Sequence, residues 1–478
     1  MTQSSPNLPV EEVIEDIYEP PKVAAELIYG LYDKPPAVEA FFVALQHVLA
    51  SFVGIITPPL LICNALKLDA ANTSYIISMS LFASGISTFI QCKKIGPIGS
   101  GLLSLQGTSF AFLAPVIGVG VGAVQAGRTP EQALALIFGV CFVGAFIEII
   151  LSRFLHLAQK IFTPVVTGTV VMIIGLSLIK TGLFSIAGGA VAKANNTYGS
   201  WQNLGLGLLV MAVIIIMNMS KNRFLRMGAI AIGLGVGYIV SIFLGIVNFG
   251  VLSELPLFSM PIPFRFGFDF NFPAFAPFII LYVITAIETI GDLTATSAVS
   301  GEPVKGGTYM RRIKGGVLGD GVNSALAAVF NTFPNTTFSQ NNGVIQMTGV
   351  GSRYVGFYVA GIFTILGLIP VVGGVFQALP QAVLGGATII MFGMIAVAGM
   401  NIVSSVELGR RELIILATSL ALGLGVVYNG DIFTDKHPLF QSVFSSGIST
   451  GGLTAILLNL LLPRNLNDDK KVNTTSEE

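Results

Sequence analysis

Apolar stretches close to the roughly 20 residues of a membrane-spanning helix recur between residues 38 and 462, separated by short polar and charged breaks. The first half of the chain predicts spans at 38–60, 73–92, 99–121, 132–152, 163–184, 203–219 and 225–247. The second half predicts 276–299, 315–333, 336–350, 354–376, 381–402, 411–428 and 441–462. The pattern makes fourteen spans, the tenth too short to cross as a plain helix. The expected fold class is an all-α polytopic membrane protein. Seven is odd, so two consecutive seven-span units run in opposite directions, and spans 3 and 10 become equivalent. Both are interrupted by Gly, Pro and amide residues: GSGLLSLQGTSFAF from Gly99 to Phe112, and NTFPNTTFSQNNG from Asn331 to Gly343. Broken segments at matching positions of two halves mark a transporter's binding site near the midplane. Asn and Gln in such segments need a cavity or a partner, because an unsatisfied amide is costly in lipid.

Composition strengthens this reading. Hydrophobic residues make up 53% of the 478 and charged residues only 10%, with a mean hydropathy of +0.80. A soluble domain carries about 25% charged residues. Lys+Arg and Asp+Glu both total 25, so no basic excess points to nucleic acid. Cys63, Cys92 and Cys141 have neither disulfide nor metal-ligand spacing, and no metal site is expected. The first 36 residues are polar, with Glu11, Glu12, Glu15, Asp16 and Glu19, and contain no apolar h-region of a signal peptide.

Loop charge orients the chain. The loops after even-numbered spans, together with the span ends, hold fourteen Lys and Arg, from Lys93 and Lys94 through Lys160 to Arg410 and Arg411. The opposite side holds six: Lys67, Arg128, Lys180, Lys193, Arg265 and Lys436. This bias predicts that both termini are cytoplasmic.

Three carboxylates lie at membrane depth. Glu288 and Asp292 share one face of span 8 in AIETIGD, and Asp320 falls in span 9 in KGGVLGDG. A carboxylate at the bilayer centre costs about 2.5–3.5 kcal/mol on the insertion scale. With no Lys or Arg at comparable depth, at least one is expected to be protonated during part of a working cycle, as proton coupling requires. His47, after Gln46 in span 1, is the histidine at depth. Glu39 and Glu148 read as groups near span ends that reach the interface. The run IGLGVG, Ile232 to Gly237, lacks a nucleotide-binding context and reads as close helix packing. An intramembrane enzyme would need a nucleophile–base pair or metal cluster, and none is evident; His156 and His437 read as loop residues.

Taken together, these residues resemble the nucleobase–ascorbate transporter family, the second class of nucleobase:cation symporters, from about residue 37 to residue 463. The most specific piece is QNNGVIQMTG, Gln340 to Gly349, followed by Arg353 and Tyr354. Long stretches such as RMGAIAIGLGVGYI and GGLTAILLN are similar to bacterial xanthine permeases. The resemblance implies fourteen spans in two inverted repeats, with short strands pairing in spans 3 and 10. It also implies a cytoplasmic tail (1–36), a core domain (37–152 and 271–378), a gate domain (153–270 and 379–463) and a second cytoplasmic tail (464–478). By the family pattern Glu288 bonds purine ring N–H groups, Gln340 bonds ring and carbonyl groups, Asn341 affects selectivity and Phe110 contacts or stacks on the ring. Asp292, Asp320 and His47 support coupling and site geometry. The implied activity is proton-coupled uptake of a purine, xanthine first, by a homodimer in the inner (plasma) membrane. It needs no cofactor beyond the coupling proton and no partner beyond the purine, protons and membrane lipid. Uracil-type members have a carboxylate where this chain has Gln340. Where the xanthine permeases have Asn in span 3, this chain has Ser109, which leaves room for urate. A fold-related anion exchanger or channel is the competing class, and it gives no reason for carboxylates facing the substrate.

Overall fold

The computed structural model of the chain describes residues 27–158, 163–247, 250, 255–433, 440 and 443–463. The acidic residues at positions 11–19, Lys160, Lys436, His437 and the 464–478 tail lie outside the described residues, as does the side chain of His156.

The protein is mostly helical. Its first elements are α1 (Ala37–Leu66), α2 (Ala70–Lys93), the strand β1 (Gln106–Thr108), a 3-10 turn at Phe110–Phe112, α3 (Leu113–Gln125) and α4 (Pro130–Ala158). Next come α5 (Pro164–Ile186), the short α6 (Gly189–Ala194), α7 (Trp201–Asn218), the short α8 (Arg223–Met227) and α9 (Ala229–Phe243). The second half has α10 (Phe272–Val299), α11 (Gly306–Val329), β2 (Asn335–Thr337), α12 (Gln340–Thr348) and α13 (Arg353–Gly367). It ends with α14 (Pro370–Gln377), α15 (Gln381–Val403), α16 (Arg410–Tyr428) and α17 (Gly447–Leu461).

Among the described residues, eight helices are long and apolar enough to cross a membrane, or nine if α13 and α14, bent by 76° where they meet, count as one span. Helices α9 and α17 are shorter apolar pieces, as is the stretch from Phe110 to Gln125. The sequence pattern therefore overstates span 11, expected as one helix over 354–376. Ile369 adopts an extended conformation there and Pro370 starts a new helix, since proline at a first helical position removes only a donor that would be free anyway.

Helix starts are written locally. The Asp69 side chain accepts from the Asn72 amide at 2.7 Å to begin α2, and Thr163 with Pro164 begins α5. Ser200, Ser352 and Ser446 cap α7, α13 and α17. Small residues then bring helices close. A Cβ on Gly175 of α5 would lie 2.3 Å from the Ala396 nitrogen of α15, and one on Gly85 of α2 would lie 2.3 Å from Thr364 of α13. The Gly-rich run in α9 behaves as its sequence predicts: Gly233 and Gly237 pack on Ile214 and Val210 of α7. Outward positions on α7 and α9 carry Trp201 and Phe243, each more than four-fifths exposed.

In the middle of the molecule the two broken segments meet. β1 and β2 pair antiparallel with Gln106 opposite Thr337, Gly107 opposite Thr336 and Thr108 opposite Asn335. All six residues are buried. Gly107 is required by close approach, since a Cβ there would sit 2.4 Å from the Phe338 ring and 2.8 Å from Ile55. Gly99, at φ 96°, turns the chain into this region where a Cβ would meet the Ile90 carbonyl oxygen at 2.3 Å.

Candidate functional site

Placing two three-residue strands inside a helical protein leaves the helices on either side of them interrupted. The resulting polar groups find partners on α10 and α11. Thr337 Oγ1 donates to Asp292 Oδ2 at 3.0 Å. Thr289, one turn before Asp292 on α10, donates to Asp320 Oδ2 on α11 at 2.7 Å and lies 3.5 Å from the Thr336 hydroxyl. Strand β2 thus touches two of the three sequence-predicted carboxylates, directly at Asp292 and through Thr289 at Asp320. Glu288 faces both of them. It is half-buried, and its Oε2 has no hydrogen-bond partner in the protein.

Helix α12 follows β2 directly and carries the amides. Asn341 is buried and its Nδ2 donates to the Leu103 carbonyl at 2.5 Å. This bond ties the second broken segment to the approach of the first. The other side of Asn341 faces His47 of α1, which is fully buried and has neither ring nitrogen in hydrogen-bond geometry. Asn342 accepts from Thr296 of α10 at 2.7 Å. Gln340, the first residue of α12, is half-buried. It lines a cavity of about 690 Å³ whose wall also includes Ala50, Asn218, Arg226, Met347 and Asn401. Glu288, Phe110 and Ser109 are not on that wall.

On the β1 side, the Ser109 amide donates to the Pro334 carbonyl at 2.8 Å. Its hydroxyl is buried without a partner, as are the Thr108 hydroxyl and the Gln106 amide group. Phe110 is buried and meets Phe392 of α15 edge to face, with ring centroids 5.4 Å apart. Asp292, Asp320, His47 and Asn341 therefore share one buried polar region with the strand pair. Gln340 borders an adjoining cavity, and Phe110 makes an apolar contact toward α15.

Two expectations need correction. Glu148 is not at the interface: it is fully buried, with Asp320 and Glu288 facing it. The apolar run ends near residue 152, but α4 continues to Ala158, so Glu148 lies two to three turns inside the helix. There Gly321 of α11 packs directly on the backbone of Ala145 and Ile149. His156 likewise belongs to the last turns of α4 and not to a loop. Helix length was the missing information in both cases. Glu39 does stand at the start of α1, where it accepts from the Tyr29 hydroxyl at 3.0 Å. Arg353 and Tyr354 have structural roles: Arg353 donates to the Lys93 carbonyl at 2.6 Å, and the Tyr354 ring lies 5.1 Å under the Lys34 ammonium. Among the described residues no group of three or more His, Cys, Asp or Glu is arranged to hold a metal ion.

Comparison with known proteins places these features in a wider group. A family model described as "Permease family" matches residues 38–432. Xanthine permease XanP of Escherichia coli (strain K12) is 50% identical over 442 residues, 92% of this chain and 95% of that protein. Xanthine permease XanQ of the same organism is 47% identical over 92% of this chain and 94% of its own length. Uric acid permease PucJ of Bacillus subtilis (strain 168) is 33% identical over 93% of this chain and 97% of its length. In fold, the chain is similar to the transmembrane domain of a cyanobacterium bicarbonate transporter, BicA, at a TM-score of 0.55 and 15% identity, covering 87% of this chain and 99% of that one. Murine Slc26a9 gives a TM-score of 0.56 at 12% identity, over 90% of this chain and 68% of its own.

Proposed function

The chain belongs to this permease family, the nucleobase–ascorbate transporters, and from that membership we propose that it moves a purine nucleobase, xanthine first, across the inner membrane together with protons. It is a transporter and not an enzyme. The observation that carries the reading is the joining of Asp292 and Asp320 to strand β2, immediately before Gln340 and Asn341. A xanthine edge alternates N–H and C=O groups, and a carboxylate beside a primary amide complements that edge. In this reading Glu288 accepts from ring N–H groups, Gln340 meets a carbonyl and a ring nitrogen, and Phe110 lies against the ring. Asn341 and Ser109 tune selectivity, while Asp292, Asp320 and His47 hold the site and the coupling proton.

The reading includes fourteen spans in two inverted repeats. What supports the repeat is a pairing of packings: α2 lies on α13 and α4 lies on α11, and a repeat equating the β1 and β2 segments exchanges these two contacts. Alternating access would then move spans 1–4 and 8–11 as a core against spans 5–7 and 12–14 as a gate, in a homodimer with both termini cytoplasmic. The similarity to PucJ and the small Ser109 favour a second reading in which urate is also carried. Radiolabelled xanthine uptake in purine-transport-deficient cells tests the proposal, with urate, guanine, hypoxanthine and uracil as competitors and chromatography of the internalised label. Saturable uptake of unchanged xanthine, blocked by purines and not by uracil, is the expected result. Absence of saturable xanthine uptake by membrane-inserted protein would overturn it.

A further inference from the structure

The most unusual buried group outside the expected site is Glu148. It is fully buried and neither carboxyl oxygen meets a hydrogen-bond donor in the protein. Its polar neighbour is Asp320, also fully buried, whose Oδ2 accepts from Thr289 and whose Oδ1 has no partner. The approach is imposed by the backbone. A Cβ on Gly321 would lie 2.9 Å from the Ile149 nitrogen and 3.1 Å from the Ala145 oxygen, so α4 and α11 touch where these two side chains lie. The other groups facing the pair are Glu288, Asp292, Thr289, Gln106 and the phenol of Tyr282. Tyr282 directs its own hydrogen bond away, to the Cys141 carbonyl at 2.6 Å. No Lys or Arg is in this set.

Two adjacent carboxylates without a cation cannot both remain ionised in a water-excluded site, because desolvation and like-charge repulsion act in the same direction. A single proton removes the repulsion and leaves one charge, stabilised by the hydrogen bond it receives: one carboxyl becomes a donor and the other an acceptor, as in paired-carboxyl sites generally. The unpaired oxygens of Glu148 and Asp320 are the atoms such a proton would join. We propose that Glu148 and Asp320 form a carboxyl pair sharing one proton, with Glu148 setting how tightly Asp320 holds the proton exchanged in each transport cycle. Glu148 is a positioning residue in this scheme, with no contact to the purine. The proton enters the pair from water on one side and leaves to water on the other, and no other bond is made or broken. The inference rests on the proton-symport reading and deepens it.

The test is Glu148→Gln, which keeps the size and can donate to Asp320 but removes the second acid. With the like charge gone, the pH at which purine accumulation falls to half should shift to the acid side by about one unit. An unshifted profile at native abundance would overturn the proposal. Infrared titration of the purified native protein is independent of both the variant's folding and the substrate's identity. A protonated-carboxyl band should be present at neutral pH and disappear at alkaline pH, and absence of such a band would overturn the pairing even if the variant fails to insert. Conversely, a band present in a protein that does not take up xanthine would leave the pair standing and remove the substrate reading.

Discussion

The segments on either side of the central strand pair have the same backbone plan and opposite polar economies. Both approach through a break, run three residues of strand and pass into a helix. On the β2 side, Asn335 donates to the Ser87 hydroxyl at 2.9 Å, Thr336 lies beside Thr289, and Thr337 holds Asp292. The next helix begins Gln-Asn-Asn and is tied by Asn341 and Asn342 to the Leu103 carbonyl and Thr296. On the β1 side, the side chains of Gln106, Thr108 and Ser109 are buried without hydrogen-bond partners, and the chain continues into the apolar α3. The lesson is a division of labour within one strand pair. The β2 half is fastened to the carboxylates by hydroxyls, while the β1 half turns Gln106 toward Asp320 and keeps the Thr108 and Ser109 hydroxyls free of protein partners.

The largest effect is expected at Glu288, beyond the end of the β2 network. Glu288→Gln replaces an acceptor by a group that is partly a donor, leaving a purine N–H unmatched. Xanthine uptake should fall about a hundredfold or more with membrane abundance kept, as read by uptake and immunoblot. Near-normal uptake would show that recognition lies within the strand pair itself. Thr337→Val comes next, because it leaves Asp292 without its donor. A loss of about 1–3 kcal/mol of stability should appear as a lower thermal midpoint of the purified protein, together with reduced uptake.

Ser109→Asn probes the β1 half, where the hydroxyl has no partner to lose. Discrimination between urate and xanthine should shift by about 1 kcal/mol, roughly fivefold to tenfold, toward exclusion of urate, with xanthine uptake preserved. Equal urate inhibition constants would move selectivity to Asn341. The smallest effect belongs to Thr108→Val. It removes a hydroxyl that satisfies nothing in the protein, so the thermal midpoint should change by no more than the equivalent of about 0.5 kcal/mol. If Thr108→Val destabilises as much as Thr337→Val, the division between the two strands fails.

Much of this was legible along the chain because lipid imposes simple rules. A span must be long and apolar, so the long helices could be read from hydropathy, and the two segments that broke the rule stood out as interrupted, while their strands were expected only through the family resemblance. Glu288, Asp292, Asp320 and His47 stood out for the same reason: a polar group at membrane depth is costly enough to be conspicuous. Their partners could not be read this way. The register that sets Thr337 opposite Gln106 and the meeting of Asn341 with the Leu103 carbonyl both join residues far apart in sequence. Glu148 is the clearest case. Its neighbours in sequence, including Arg153, indicated a helix end, but the length of α4 and the Gly321 contact carry it into a closed interior beside Asp320. By itself the sequence determined which stretches are apolar enough to span and, Glu148 apart, which polar residues are expensive within them, since burial in lipid depends on local length and hydropathy. Only the tertiary structure decided which expensive groups face one another, because that depends on where helices cross, and crossings are set by small residues and turns distributed over the whole chain.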